Sequence, residues 1–354
     1  MKLRMLVVAV VIAIAAPAMS QDVQQLGVPA FSPVTRCDGS HNGDWTRIQS
    51  AGQAVTIVVA DKTTLCDPYN MPSTQVQFDA LRAQPNYQLV LGYVDTRHGL
   101  RDPYYVFNTV QNEPNPPSNP TTVQDWYRDY GGHIDGIFFD DGPTMEQGYP
   151  GDAALHAYYS NLYVTMKNRP GRCGPNHNQA CVMLNSSQYP NNWVMSVADN
   201  VVLWERALHG TDMNPPDSQG YLTNFILGDA QQSPAGWYKS VSGNQAEHVI
   251  YGATTSEVTD VICSSRRFGY PLLYVHDRTG LGANYSQLSS LFEQTVSFVQ
   301  GYQFCVDVFA TRCGSDSYDP CGTYLPGCQQ GLWCPAGYSC RDAVGGGYLD
   351  CVPG

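Results

Sequence analysis

The chain has 354 residues, room for one large domain or two unequal ones. Only 14% of the residues are charged and 11% are aromatic, so a packed core is expected and a disordered chain is excluded. Lys and Arg number 19 against 31 acidic residues, a net charge of −12; this argues against nucleic acid and anionic membrane and suits a cationic partner or plain solubility.

The N-terminus reads as a signal peptide over residues 1–20. Met1-Lys2-Leu3-Arg4 is a short basic segment, and the apolar run from Met5 to Ala16 is too short to span a bilayer comfortably. Ala18-Met19-Ser20 places small residues where a signal peptidase reads, so cleavage is expected before Gln21. No later apolar run reaches membrane-helix length, so a secreted, soluble, extracellular protein is expected. The 12 cysteines then read as disulfides. Asn185-Ser186-Ser187 and Asn284-Tyr285-Ser286 are glycosylation sequons in a eukaryotic host.

Apolar runs predict strands at Val28–Val34, Ala54–Ala60, Gln88–Asp95, Ile134–Asp140, Cys181–Asn185, Asn200–Glu205, His248–Ala253 and Pro271–His276. Helical spacing predicts helices between most of them. Ser73–Arg82 carries Val76, Phe78 and Leu81, and Thr121–Tyr130 opens on a Thr-rich cap. Asp152–Asn168 carries Leu155, Tyr158, Tyr159, Leu162 and Val164; Ser256–Arg267, opening on a cap-plus-acid start, and Ser286–Tyr302 complete the set. Strands and helices alternating in this way predict an α/β fold, a (β/α)8 TIM-type barrel over residues 21–305. An open doubly wound sheet is the rival, but no Gly-x-Gly-x-x-Gly follows the first strand and no P-loop exists. Long loops follow the third strand (Glu113–Pro120) and the sixth (His209–Gln232), both on the face where barrel enzymes work.

Six cysteines crowd the end of the chain: Cys313, Cys321, Cys328, Cys334, Cys340 and Cys351. This Gly- and Pro-rich tail has too few aliphatic residues for its own core, so a small disulfide-knotted module is expected over 306–354. Zinc is the competing reading, but the tail holds no His. Trp333, Tyr338 and Tyr348 either stack on sugars or fill the small core.

The strand tips carry the chemistry. Gly136-Ile137-Phe138-Phe139 reads as a fully buried strand that ends in Asp140-Asp141 and is broken by Gly142-Pro143. Burying a charge costs several kcal/mol unless it is paired, so two acids there mark either an Asx-turn or a site. Adjacent residues on a strand point to opposite faces, so Asp140 and Asp141 cannot be a full catalytic pair. Glu205 ends the run Val201-Val202-Leu203-Trp204 on another strand and is read as the partner acid; a salt bridge to Arg206 or another Arg is the plain alternative. Tyr93, Asp95, His98, Arg101, Asn185, Trp204, Tyr274 and His276 lie at or near other tips and are expected to bind substrate. For Tyr93 barrel filling competes, and for His98 and Arg101 bracing of the loop competes. Carboxylates, aromatic faces and neutral hydrogen-bonding groups in one cleft suit carbohydrate.

Three segments, in this order and spacing, resemble the spherulin-4-like family: Gly92-Tyr93-Val94-Asp95-Thr96-Arg97-His98-Gly99-Leu100-Arg101, Gly136-Ile137-Phe138-Phe139-Asp140-Asp141 and Val201-Val202-Leu203-Trp204-Glu205. The resemblance covers about residues 28–303. It implies a (β/α)8 glycoside hydrolase that cuts α-1,4-linked N-acetylgalactosamine from within galactosaminogalactan-type exopolysaccharides. It also implies Asp140 and Glu205 as catalytic carboxylates and Asp141 as a supporting acid. Three positions depart from the family. It commonly has Glu where Asp141 stands and Tyr where His98 stands. It has an Asn-Pro-x-Ser-Gly-Pro-Gly loop where this chain reads Ala60-Asp61-Lys62-Thr63-Thr64-Leu65-Cys66.

An endo-acting glycosidase is therefore expected, working as a monomer with no cofactor and no metal. A non-catalytic carbohydrate-binding or wall protein on the same barrel is the first alternative. A metal-dependent polysaccharide deacetylase is the second, suggested by Phe139-Asp140-Asp141-Gly142-Pro143, but no two His stand four residues apart to complete its metal site.

Overall fold

The computed structural model describes residues 24–34, 42–65, 71–84, 88–110, 113–114, 116–117, 120–143, 150–174, 176–186, 191–208, 245–267, 272–278, 285–300, 338–342 and 349–353. Eight strands follow one another around a closed barrel: β1 (Gln25–Ala30), β2 (Val55–Ala60), β3 (Leu89–Asp95), β4 (Gly136–Asp140), β5 (Cys181–Asn185), β6 (Asn200–Ala207), β7 (Gln245–Tyr251) and β8 (Leu272–His276). Every neighbouring pair is parallel, and β8 closes on β1. Helices α1 (Gly43–Ser50), α2 (Met71–Arg82), α3 (Pro103–Phe107), α4 (Val123–Tyr130), α5 (Asp152–Lys167), α6 (Val258–Arg267) and α7 (Phe292–Gln300) lie in the connections. The expected (β/α)8 barrel is the observed fold.

Strands β4, β5 and β8 are almost wholly apolar because helices or the barrel interior cover both their faces. Outside the barrel wall, Trp45 of α1, Phe78 of α2, and Tyr130 and Trp126 of α4 form a chain of ring contacts with centroids 5.5–5.6 Å apart. All four are fully buried. A buried ring of this size contributes about 1.5–3 kcal/mol.

Local chemistry sets the ends of the elements. Thr122 and Asp125 form a reciprocal capping box that starts α4, as the Thr-rich cap predicts. At α6 the cap falls two residues earlier than the sequence suggests: Thr254, not Ser256, pairs with Glu257. β1 ends at Ala30 and not at Val34. The carbonyls of Ser32 and Pro33 accept from Trp45 and Asn42, so that backbone is bonded to α1 and its cap and not to the sheet. On α2 and α5 the expected apolar faces are partly corrected: Phe78, Leu81, Leu155 and Leu162 are buried, but Val76 and Val164 point to solvent.

Cys173 and Cys181 form a disulfide that ties the loop after α5 to the first residue of β5. Strands β9 (Tyr338–Asp342) and β10 (Leu349–Pro353) form an antiparallel pair that sets Cys340 opposite Cys351. The expected signal peptide, the boundary at 305–306, the loop His209–Gln232, Asn284 and Cys37, Cys66, Cys305, Cys313, Cys321, Cys328 and Cys334 lie outside the described residues. Among the described residues, no helix is long and apolar enough to cross a membrane.

Candidate active site

The C-terminal ends of the strands open into one cleft that reaches into the barrel interior, lined by Phe31, Asp140, Asn185, Glu205, Glu247 and Tyr285 among others. Its lining follows the alternation of each strand. Phe138 and Asp140 come from β4, Met183 and Asn185 from β5, and Glu247 and Val249 from β7, each pair two residues apart. β6 breaks this rule. Val202 and Glu205 both line the cleft, although residues three apart belong on opposite faces. The cause is a bulge: Val202 pairs with Glu247 and Trp204 with His248, so Leu203 is an extra residue that turns Glu205 inward.

At the centre, the Asn185 side-chain amide donates to Asp140 Oδ1 at 2.8 Å and to Glu205 Oε2 at 2.5 Å. Tyr285 Oη donates to the other Glu205 oxygen at 2.7 Å, and the Tyr93 hydroxyl donates to Asp140. Phe31 packs edge-on against both tyrosines, with centroids 5.2 Å from Tyr93 and 5.7 Å from Tyr285, which gives the carboxylates an aromatic wall. Burial first, then the charges of Glu205 and Asp141, pushes Asp140 up to about 7. The hydrogen bonds from Tyr93 and the Asp141 amide oppose this shift without cancelling it. Among the described residues no cation pairs with Glu205; its hydrogen-bond partners are neutral, and the Arg206 side chain is outside the described residues.

Asp95 is level with Asp140 in the β3–β4 ladder and is buried. Its carboxyl accepts from the Arg97 amide at 2.7 Å, and burial pushes it up to about 6. Asp141 leaves the strand in the left-handed region, φ 47°, which Asp tolerates better than most residues. It does not line the cleft; its side chain is 48% exposed. His98 is also left-handed, φ 54°, and braces this corner: its Nδ1 lies 2.9 Å from the Gly142 carbonyl and its Nε2 3.8 Å from Asp141. Gly142 is fixed by close approach, since a β-carbon there would stand 2.3 Å from the Asn185 carbonyl oxygen. Its amide donates to that same oxygen at 2.7 Å, which ties the Asp140-Asp141 turn to Asn185.

Of the expected substrate contacts with described side chains, Asn185 alone lines the cleft; Tyr93 bonds Asp140, Asp95 and His98 brace its rim, and the other three are held elsewhere. Arg101 is buried and its guanidinium is taken up by the loop after β3, where it bonds Glu113 and the carbonyls of Asp95, Pro120 and Thr121. Tyr274 is buried, and its hydroxyl accepts from the Ser289 amide. His276 is fully buried behind Tyr285; its Nδ1 accepts from the Arg278 amide, and burial lowers its pKa. The Trp204 side chain lies outside the described residues.

Sequence reasoning missed Tyr285, Phe31 and Glu247. Tyr285 stood in the chain as the middle of a sequon. Glu247 stood one residue before the predicted start of its strand. It is 2% exposed, and burial, then the charge of Glu205, pushes it up to about 8. Among the described residues, no three His, Cys, Asp or Glu side chains gather as a metal site requires, so the deacetylase reading finds no ligand set there.

Fold and cleft together define a (β/α)8 barrel with a carboxylate-bearing cleft at its strand ends. A sequence profile of the spherulation-specific family 4 (Spherulin4) matches residues 39–299, and the chain belongs to that family. No curated protein sequence matches the chain. Among solved structures, it is similar to the crystal structure of Aspergillus clavatus Sph3 in complex with GalNAc. That match has 16% identity and a TM-score of 0.49, and covers 78% of this chain and 98% of the other. A protein of the dihydrodipicolinate synthase family from Coccidioides immitis matches at 10% identity and a TM-score of 0.33, over 83% of this chain and 80% of the other. Neither likeness is near enough to speak to function.

Proposed function

We propose that this protein is a secreted endo-acting glycoside hydrolase that cleaves α-1,4-linked N-acetylgalactosamine within an amino-sugar exopolysaccharide. The observation that carries the reading is the Asn185 amide shared between Asp140 and Glu205, which holds two carboxyls from different strands over one cleft. Asp140, raised to about 7, is the general acid and base. Glu205, fixed by Asn185 and Tyr285 with no neutralising cation among the described residues, is the nucleophile. Phe31 and Tyr285, which line the cleft, give the sugar an aromatic wall. The sugar and linkage rest on the motif resemblance to characterised family members. Residues 1–20 are the signal peptide, 21–305 the catalytic barrel and 306–354 a separate disulfide module.

The non-catalytic alternative draws on the shorter acid at Asp141. That residue stands outside the cleft lining and acts on Asp140 through its charge and its backbone amide, both of which the shorter acid keeps. Incubation with a panel of amino-sugar polymers, followed by mass spectrometry, tests the reading. Oligosaccharides are expected from the galactosamine polymer with the wild type. Wild-type release by both Asp140→Asn and Glu205→Gln sinks the proposal.

A further inference from the structure

The cleft lining holds three carboxyls, Asp140, Glu205 and Glu247, and among the described residues no Lys, Arg or His lines it. Asp140 and Glu205 have work in the proposed chemistry; Glu247 has none. Yet the barrel is shaped around it. At Gly27 a β-carbon would stand 2.3 Å from Glu247 Oε2, so the chain gives up a side chain on β1 to seat an acid inside the barrel. Glu247 is only 2% exposed, and among the described residues no hydrogen bond or ion pair reaches its carboxyl. A buried polar group without a partner costs stability, so one kept in a cleft wall points to a ligand.

Depth and surroundings define the ligand group that suits it. Glu247 is level with Val202 in the β6–β7 ladder, whereas Glu205 is level with Val249, two residues nearer the mouth. A group that meets Glu247 must pass the catalytic pair and enter the barrel. The walls there, Pro29, Val59, Met183 and Val202, are apolar. The charged groups that share the lining with Glu247 are both acids, Glu205 from β6 and Asp140 from β4; among the described residues β1, β2 and β5 bring none and β8 adds nothing to the lining. Burial, then the charge of Glu205, pushes Glu247 up to about 8, so at neutral pH it is an uncharged acid with one O–H to donate. Its complement is an uncharged group with an acceptor at its far end and an apolar part beside it.

We propose that Glu247 reads the 2-acetamido group of the sugar seated over Asp140 and Glu205: its O–H donates to the acetamido carbonyl, and the apolar walls take the methyl. This deepens the glycosidase reading and rests on it for the sugar. The acetamido oxygen stands three bonds from the sugar ring and a hydroxyl oxygen only one, so the acetamido group reaches deeper into the barrel. A free ammonium has three donors and no acceptor, so it gives the Glu247 O–H nothing to bond. Glu247 is thus a specificity-determining residue that stands away from the bond being cut. Once ionised it would turn a lone pair toward the carbonyl oxygen and repel it, so recognition weakens as pH rises through about 8.

The test is binding, not turnover. N-acetylgalactosamine and galactose are titrated calorimetrically into the intact protein at pH 6 and pH 9, and the ratio of their affinities is read; ionisation of Asp140 acts on both sugars and cancels in that ratio. At pH 6 the wild type is expected to favour N-acetylgalactosamine about tenfold, from one hydrogen bond and one buried methyl. At pH 9 most of that preference is expected to be gone. Glu247→Gln keeps a donor that does not titrate, so it is expected to hold the preference at both pH values. Glu247→Leu keeps the bulk without the donor and is expected to lose most of it at both, with the fold of each variant checked by circular dichroism. The proposal is overturned if the wild type shows no preference at pH 6 or keeps it undiminished at pH 9, if Glu247→Gln loses it, if Glu247→Leu keeps it, or if neither sugar binds. The preference without polymer cleavage by the wild type would support the acetamido site and overturn the glycosidase reading; cleavage without the preference would overturn the acetamido site alone.

Discussion

Asp140 and Glu205 stand two strands apart, yet one nitrogen, Asn185 Nδ2, donates to both. Their facing oxygens can therefore be no farther apart than the sum of two short hydrogen bonds. That limit keeps the pair closer than the roughly 6.5–9.5 Å of inverting enzymes and favours the retaining arrangement. The first product released is expected to keep the α configuration at its new reducing end. Proton NMR of the anomeric signal in the first minutes of reaction checks this; a β product refutes the assignment.

Asn185 itself becomes a test of preorganisation. Replacing it by Ala leaves both carboxyls in place but removes the donor that holds them together and screens their repulsion. A drop of about 10–100-fold in kcat is expected, with KM changed far less. Steady-state kinetics on a defined oligosaccharide measures the split. Asp140→Asn and Glu205→Gln are expected to cost more, about 10²–10⁴-fold.

The acid role proposed for Asp140 carries a pH dependence. Its carboxyl must be protonated to serve as the acid, and it titrates at about 7. Above that pH, kcat/KM is expected to fall about tenfold per pH unit. Tyr93→Phe removes a hydrogen bond that favours the carboxylate, so the alkaline limb is expected to move upward. A limb that stays put shows that the titrating group is not Asp140.

Glu247 ties stability to pH. Its pKa in the folded state, about 8, is far above the roughly 4.3 of an unfolded chain. Below the unfolded value both states hold the proton and the group adds no pH dependence. Between the two values only the native state keeps it, so stability falls as pH rises, and the loss is complete above about 8. Glu247→Gln is therefore expected to gain about 1–3 kcal/mol over wild type at pH 8 and much less at pH 5, by urea denaturation. An equal effect at both pH values contradicts a neutral buried acid.

Gly27 and Glu247 should behave as one unit. Gly27→Ala places a β-carbon 2.3 Å from the carboxyl and is expected to cost about 1–3 kcal/mol. In the double variant Gly27→Ala, Glu247→Ser the clash is gone, and most of that loss should return. Additive losses in the double-mutant cycle would show that the two residues do not share the space.

Much of this was legible in the chain. Strand cores such as Cys181–Asn185 are continuous apolar runs, and the pattern places them to the residue. Asp140 and Glu205 stood out because acids rarely end such runs. What stayed hidden is non-local. Glu247 lies near the start of its strand and is accommodated by Gly27, more than two hundred residues earlier. Arg101 read equally as a substrate contact or a loop brace, and only the distant Glu113 and three carbonyls that close around it decide for the brace. The tie between Tyr285 and Glu205 crosses from the segment after β8 to β6, and no local spacing encodes it.

The bulge at Leu203 has a consequence for how this barrel could change in evolution. Deleting that one residue would leave Val202 and Glu205 two apart, the spacing of residues that share a face, so a plain β6 would keep Glu205 in the cleft beside Asp140, Asn185 and Glu247. A single in-frame codon loss at Leu203 is thus expected to be silent for the inward acid, and barrels with and without the bulge can present the same carboxyl. An insertion elsewhere in β6 without a bulge to absorb it would instead turn Glu205 to the outer face.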